Sequence, residues 1–161
     1  MFHVVLREPE IPHNTGSVGR TCVAVGAKLW LVRPLGFQID HRHLRRAGMD
    51  YWQHLDYEVV DDWEALCRRL PEGRFWFFTK HAATDFRDAC FAPDDVLVFG
   101  SESQGLPASL VQALPERCLR IPMQPVARSL NLSVAVAVAA YEVQRQLNSA
   151  SVPRPSPYHG R

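Results

Sequence analysis

Three polar segments, each lying between an apolar run and a stretch of helical periodicity, hold most of the side chains here that could do chemistry. The first is Glu8-Pro9-Glu10-Ile11-Pro12-His13-Asn14-Thr15-Gly16-Ser17-Val18-Gly19-Arg20-Thr21. Asn14 and Thr15 are helix-capping types, Gly16 lets the backbone approach a ligand, and Arg20 follows one turn later. A helix start of this kind offers free N–H groups to an anion, and a capped helix bearing an exposed arginine is the plainer alternative. The second segment runs from Phe99 to Pro107, where Gly100 and Gly105 bracket Ser101, Glu102, Ser103 and Gln104. It has neither the Gly-Lys-Ser/Thr of a phosphate loop, nor G-x-G-x-x-G, nor the G-x-S-x-G of a nucleophile elbow. Ser101 and Ser103 have no evident His and Asp partners, so the loop offers backbone groups and the Glu102 carboxylate to a small ligand, or is simply a tight strand-to-helix turn. The third, Ile121 to Ser133, passes Pro122, Met123 and Pro125 before Ser129, Asn131 and Ser133 crowd a helix start. One cap is needed there, and the excess points to a polar pocket.

The elements that must position these segments follow from periodicity. Strands are expected at 2–6, 29–32, 57–60, 74–79, 96–99 and 118–121, and helices at 16–26, 41–47, 63–70, 106–114 and 131–147. Asp61 or Asp62 can cap the third helix, and Pro107 opens the fourth. Strands alternating with helices predict an α/β domain with a mostly parallel sheet, and the near-continuous apolar strands predict that both faces are covered. Ligands of such sheets bind outside the carboxyl ends of the strands, where all three segments fall. The last helix is small and apolar nearly all round from Leu132 to Tyr141, so a subunit interface is expected to bury a second face. Residues 1–148 are expected to form one domain, and 149–161, with Pro153, Pro155 and Pro157, a flexible tail.

Composition narrows the classes. A chain of 161 residues with 47% hydrophobic and 22% charged residues is an ordinary globular domain, which excludes wholesale disorder. The net charge of +1 leaves nucleic acid as a partner only through a local basic patch. Of the 18 basic residues only Lys28 and Lys80 are lysines; that bias is either genomic or a sign of phosphate and carboxylate recognition by guanidinium forks. Cys22, Cys67, Cys90 and Cys118 form no C-x-x-C pair and are expected to be buried, reduced thiols of a cytosolic protein. His41 and His43 offer two metal ligands without a third, so no metal is expected. No apolar stretch reaches the ~20 residues of a membrane span, and Arg7 comes too early for a signal peptide, so a soluble, cytoplasmic protein is expected.

Together the segments resemble the motifs of the SPOUT class of RNA methyltransferases. N-x-G-x-x-x-R-T at Asn14, Gly16, Arg20 and Thr21 resembles its first motif, F-G-S-E-x-x-G-L-P at Phe99–Pro107 its second, and S-L-N-L-S-x-A at Ser129–Ala135 its third. With Glu8–Pro12 and Leu44–Tyr51, the short chain is most similar to the minimal tRNA wobble-nucleotide 2′-O-methyltransferases, over residues 2 to about 148. It departs at His13, where a proline is often found, and at His81, where a glycine is common. The resemblance implies a sheet with a C-terminal trefoil knot, a homodimer, and S-adenosylmethionine as cofactor, leaving as S-adenosylhomocysteine. It implies cofactor contacts at Phe77, Phe78, Gly100, Glu102, Gly105, Ile121, Met123, Ser129 and Leu130. It implies catalytic roles for Arg20, Asn14, Ser129, Asn131 and Glu102. A guanidinium offers only N–H donors and no acceptor, so Arg20 suits an oxyanion or phosphate donor better than a base. Arg7, Arg42, Arg45, Arg46, Arg128 and Tyr141 are candidates for holding the anticodon stem-loop of tRNA. The alternatives are a 2′-O-methyltransferase of rRNA or of another tRNA position, a non-catalytic RNA-binding module of the same fold, and an unrelated nucleotide-using α/β enzyme.

Overall fold

The computed structural model describes residues 1–39 and 50–149. The elements are β1 (His3–Arg7), α1 (Pro12–Val25), β2 (Lys28–Val32), a 3₁₀ turn (Asp50–His54), β3 (Tyr57–Val60), α2 (Trp63–Arg69), β4 (Phe75–Phe78), β5 (Thr84–Asp85), β6 (Val96–Phe99), α3 (Ala108–Ala113), β7 (Cys118–Arg120) and α4 (Leu132–Ser149). The strands form one sheet in the order β3-β2-β1-β6-β4-β7-β5, and every ladder among them is parallel.

Alternate residues along each strand feed two cores, because side chains of a strand point to opposite faces. Val4, Leu6, Leu29, Leu31, Phe78, Leu97 and Phe99 face α1 and α4, whose Val18, Cys22, Val136, Ala139 and Val143 complete the first core. Val5, Trp30, Val32, Phe77, Val96 and Val98 face the other way, toward Leu66 of α2 and Leu110 and Val111 of α3. All six expected strands form. The two-residue β5 was not expected, since Thr84 and Asp85 form no apolar run. Asp62 caps α2 by accepting from the Ala65 N–H at 2.7 Å. The expected basic helix at 41–47 and the expected tail lie outside the described residues, apart from Ser149, which ends α4.

Two expectations are corrected. Helix α1 begins at Pro12, whose fixed φ suits a first helical turn, so Asn14 and Thr15 lie inside the helix, buried, rather than capping it. The cysteines are all free, but only Cys22 and Cys118 are buried; Cys67 is half-buried and Cys90 exposed. Burial pushes the Cys22 thiol up to about 12. Helix α4 buries one face, through Leu132, Val136, Ala139, Ala140 and Val143, while Val134, Val138 and Tyr141 remain 47%, 39% and 53% exposed. Those three residues are spaced by four and three, so they form one stripe.

Candidate active site

Parallel pairing sets where the three polar segments meet. In the sheet order β1, β6, β4 and β7 are consecutive neighbours, and they all run the same way. Their carboxyl ends therefore release the loops after Arg7, Phe99, Phe78 and Arg120 onto one edge of the sheet. These loops and the start of α4 enclose a cleft of about 1170 Å³. Its lining includes Arg7, Asn14, Phe78, Gly100, Glu102, Gly105, Ile121, Met123, Ser129, Leu130 and Asn131, all singled out in the sequence. Glu8 of the first segment and His81 also line it, as does Lys80, which no motif marked.

The Glu102 carboxylate joins the first two segments. Its Oε2 accepts from the Glu10 N–H at 2.8 Å; its Oε1 accepts from the Ile11 N–H at 3.2 Å and from Asn14 Nδ2 at 3.0 Å. The anion attracted to the start of α1 is thus the protein's own carboxylate, placed where the helix dipole favours it. Glu10 answers in the other direction, its carboxylate accepting from the Ser103 N–H and hydroxyl. Asn14 Oδ1 then accepts from Asn131 Nδ2 at 3.0 Å, and Asn131 Oδ1 caps α4 by accepting from the Ser133 N–H at 2.9 Å. One bonded chain, Glu102–Asn14–Asn131, links the loop after β6 to the starts of α1 and α4.

The loop after β6 has little room to vary. The Ser101 C=O accepts from the Gly105 N–H at 2.9 Å, and Gly105 takes a left-handed φ of 68°. A Cβ on Gly100 would lie 2.0 Å from the Gly105 carbonyl carbon, a backbone atom that cannot swing aside. Only glycine fits at position 100. Across the cleft, Phe78, Leu106, Ile121, Met123, Leu130 and Leu132 supply apolar walls.

Other predicted residues lie elsewhere. Phe77 does not line the cleft: it is 2% exposed in the core on the far face, because it alternates with Phe78 along β4. Arg20 is exposed and also outside the cleft lining. Six residues along α1 from Asn14 place it about 9 Å further along the axis and about 120° round. Its guanidinium stacks 4.7 Å from the centre of the Tyr51 ring, and the Tyr51 hydroxyl donates to the Gly16 C=O at 2.9 Å. Tyr51 is a positioning residue that sequence reasoning missed; only its neighbourhood, 44–51, carried a resemblance. Arg128 is exposed in an adjoining groove, and Tyr141 sits in the exposed stripe of α4. Arg42, Arg45 and Arg46, with His41 and His43, lie outside the described residues. Among the described residues no group of three or more His, Cys, Asp or Glu could hold a metal ion, and no helix is long and apolar enough to cross a membrane.

Comparison with known proteins agrees with this geometry. A protein from Burkholderia ambifaria named tRNA (cytidine(34)-2′-O)-methyltransferase is 46% identical over 149 residues, covering 91% of this chain and 96% of its own. A solved structure concerned with the 2-OH methylation of C/U34 on tRNA superposes with a TM-score of 0.86 at 46% identity, over 92% of this chain and 97% of that one. The AdoMet-bound rRNA methyltransferase from Sinorhizobium meliloti superposes with a TM-score of 0.76 at 27% identity, over 91% of this chain and 56% of that one. The model of the SpoU rRNA Methylase family matches residues 1–141, and the chain belongs to that family.

Proposed function

We propose that the protein is a tRNA 2′-O-ribose methyltransferase, transferring a methyl group from S-adenosylmethionine to the wobble nucleotide, cytidine or uridine 34, of the anticodon loop. The observation that carries this reading is the Glu102–Asn14–Asn131 chain across one cleft, in a sequence 46% identical to a tRNA (cytidine(34)-2′-O)-methyltransferase over most of both chains. The cleft suits the cofactor. Its volume is ample for a ligand of that size, apolar side chains offer a surface for adenine, and glycine 100 lets main-chain groups come close. Phe78, Gly100, Gly105, Ile121, Met123, Ser129 and Leu130 would hold it. When bound, S-adenosylmethionine supplies an electrophilic methyl group on a sulfonium, and no metal is needed.

The chain's own residues divide the remaining work. Ser129 and Asn131 orient the ribose hydroxyl at the cleft. Asn14 and Glu102 hold the loops in register, since their hydrogen-bonding atoms face one another. Arg20, its guanidinium 4.7 Å from the centre of the Tyr51 ring, donates to the target phosphate and to the 2′-oxygen as that hydroxyl gives up its proton to water. Arg7 lines the cleft with its guanidinium paired to Glu8 at 2.7 Å, and an RNA phosphate would compete with that carboxylate for it. Arg42, Arg45, Arg46, Arg128 and Tyr141 complete the proposed RNA contacts. Residues 1–148 form the single methyltransferase domain, with 149–161 an appended tail. The stripe Val134–Val138–Tyr141 supports a homodimer through α4, because such apolar surface gains by being covered. Family membership supports a trefoil knot after β6 and a place in the cytoplasm with its tRNA substrates.

The deciding experiment is methyl transfer from labelled S-adenosylmethionine to unmodified tRNA transcripts, followed by mapping of 2′-O-methyl nucleotides. Label at position 34 is expected. Label confined to rRNA or to another tRNA position would refute the assignment, and no transfer to any RNA would favour a binding module.

A further inference from the structure

Beside the cleft lies a second groove of about 350 Å³, lined by Lys80, His81, Arg120, Gln124 and Arg128 together with the backbone of the loop after β7. It is continuous with the cleft, since Lys80, His81, Ile121 and Met123 line both. Among the described residues no carboxylate lines it. Lys80, Arg120 and Arg128 are exposed and form no salt bridge among the described residues. The acid nearest in the sheet register is Asp85, opposite Arg120 in the β5–β7 ladder. Asp85 is already engaged by Arg87, whose Nε and Nη2 donate to it at 3.0 and 2.6 Å. Arg120 attracts that carboxylate only weakly and forms no salt bridge to it, so its N–H donors are left for another anion. Cations gathered at a groove without a counter-charge repel one another, and a polyanion relieves that repulsion.

We infer that this groove binds the sugar-phosphate backbone of the RNA strand next to the target nucleotide, with Arg120 and Arg128 on its phosphates and Lys80 at the junction with the cleft. The inference rests on the proposed RNA substrate and adds the path by which the strand leaves the reacting nucleotide. The cations of the groove meet phosphates and fix the register of the strand irrespective of sequence, while His81 and Gln124 of the described lining can also reach a base edge. Gln124, Pro122 and Pro125 give the far wall a neutral surface against which a sugar can lie.

The test is the salt dependence of RNA binding, measured by fluorescence anisotropy with an anticodon stem-loop oligonucleotide and no cofactor present. Each single-strand phosphate contact contributes roughly 0.7 to the slope of log K against log salt. Arg120→Ala should make the slope shallower by about 0.7, and Arg120→Ala with Arg128→Ala by about 1.4. Arg120→Lys should restore the slope, because phosphate neutralisation needs charge rather than a planar fork. Titration with S-adenosylmethionine should be unaltered in Arg120→Ala. An unchanged slope in the double variant overturns the inference, as does loss of cofactor binding in Arg120→Ala, which would make the groove part of the cofactor site. Transfer to position 34 by the wild type with a slope insensitive to Arg120 removes the groove and leaves the proposed function standing. A slope that depends on Arg120 in a protein that transfers no methyl group does the reverse. A wild-type protein that binds no RNA overturns both.

Discussion

Asn14 is the middle of the Glu102–Asn14–Asn131 chain, so its removal should be felt at both ends. It is 5% exposed, donates to Glu102 at 3.0 Å and accepts from Asn131 at 3.0 Å. A hydrogen bond to a charged group contributes about 2 kcal/mol and a neutral one about 1 kcal/mol, so Asn14→Ala should cost about 3 kcal/mol of stability. Glu102→Ala removes three charge-assisted bonds, but Glu102 is only half-buried and water replaces part of the loss, so about 3 kcal/mol is expected there too. The bond between the two residues is lost in both single variants. The double variant should therefore cost about 4 kcal/mol rather than the sum of about 6, a coupling of about 2 kcal/mol. The assay is a double-mutant cycle in urea with the unfolding slope held constant. Additivity within about 0.5 kcal/mol would refute the argument that Glu102 acts through Asn14. As a further check, Asn14→Asp puts a second carboxylate against Glu102 in place of the amide donor. At neutral pH it should be at least as damaging as Asn14→Ala, and it should recover as acid protonates the pair.

Other perturbations address separate parts of the molecule. Arg20→Ala should leave cofactor affinity within a few-fold while methyl transfer falls roughly 100-fold, and Arg20→Lys should rescue poorly because an ammonium lacks the planar fork; single-turnover transfer beside cofactor titration checks this, and near wild-type transfer by Arg20→Ala would remove Arg20 from the mechanism. Val138→Glu should convert a dimer to monomers in sedimentation while the monomer stays folded, since Val138 is 39% exposed within one chain; a wild-type monomer with full activity would refute the α4 interface. The Arg87 guanidinium holds the Asp85 carboxyl down to about 2, so the interaction is fully present above an unfolded pKa near 4 and is lost as pH falls toward 2. Arg87→Ala should move the Asp85 midpoint, followed by NMR, upward but short of the free value, because the backbone N–H of residue 87 still donates to Asp85 at 3.0 Å; an unmoved midpoint would assign the shift to another cause.

Local rules made the strands and the main helices legible, because short apolar runs and 3.6-residue spacing report burial one segment at a time. The start of α1 was misplaced because Asn14 and Thr15 are capping types, and their chemistry reads locally; Pro12 starts the helix, and Asn14 turns its amide to partners 88 and 117 residues away. No local pattern encodes such a pairing. The same holds for Glu10 and Ser103, for Tyr51 under Arg20, and for Lys80 and His81 at the cleft. The motifs named Glu102 and Asn131 for the reaction; the fold adds that each also bonds to Asn14, a pairing no motif predicts. By itself the sequence determined the alternation of elements, the three polar segments and the family they resemble, since residue type and spacing carry all of these. Only the tertiary structure decided that the segments share one edge, because parallel pairing of β1, β6, β4 and β7 points four carboxyl ends the same way. It also separated Phe77 from Phe78, which are adjacent in sequence, because a strand sends successive side chains to opposite faces and only one face opens on the cleft.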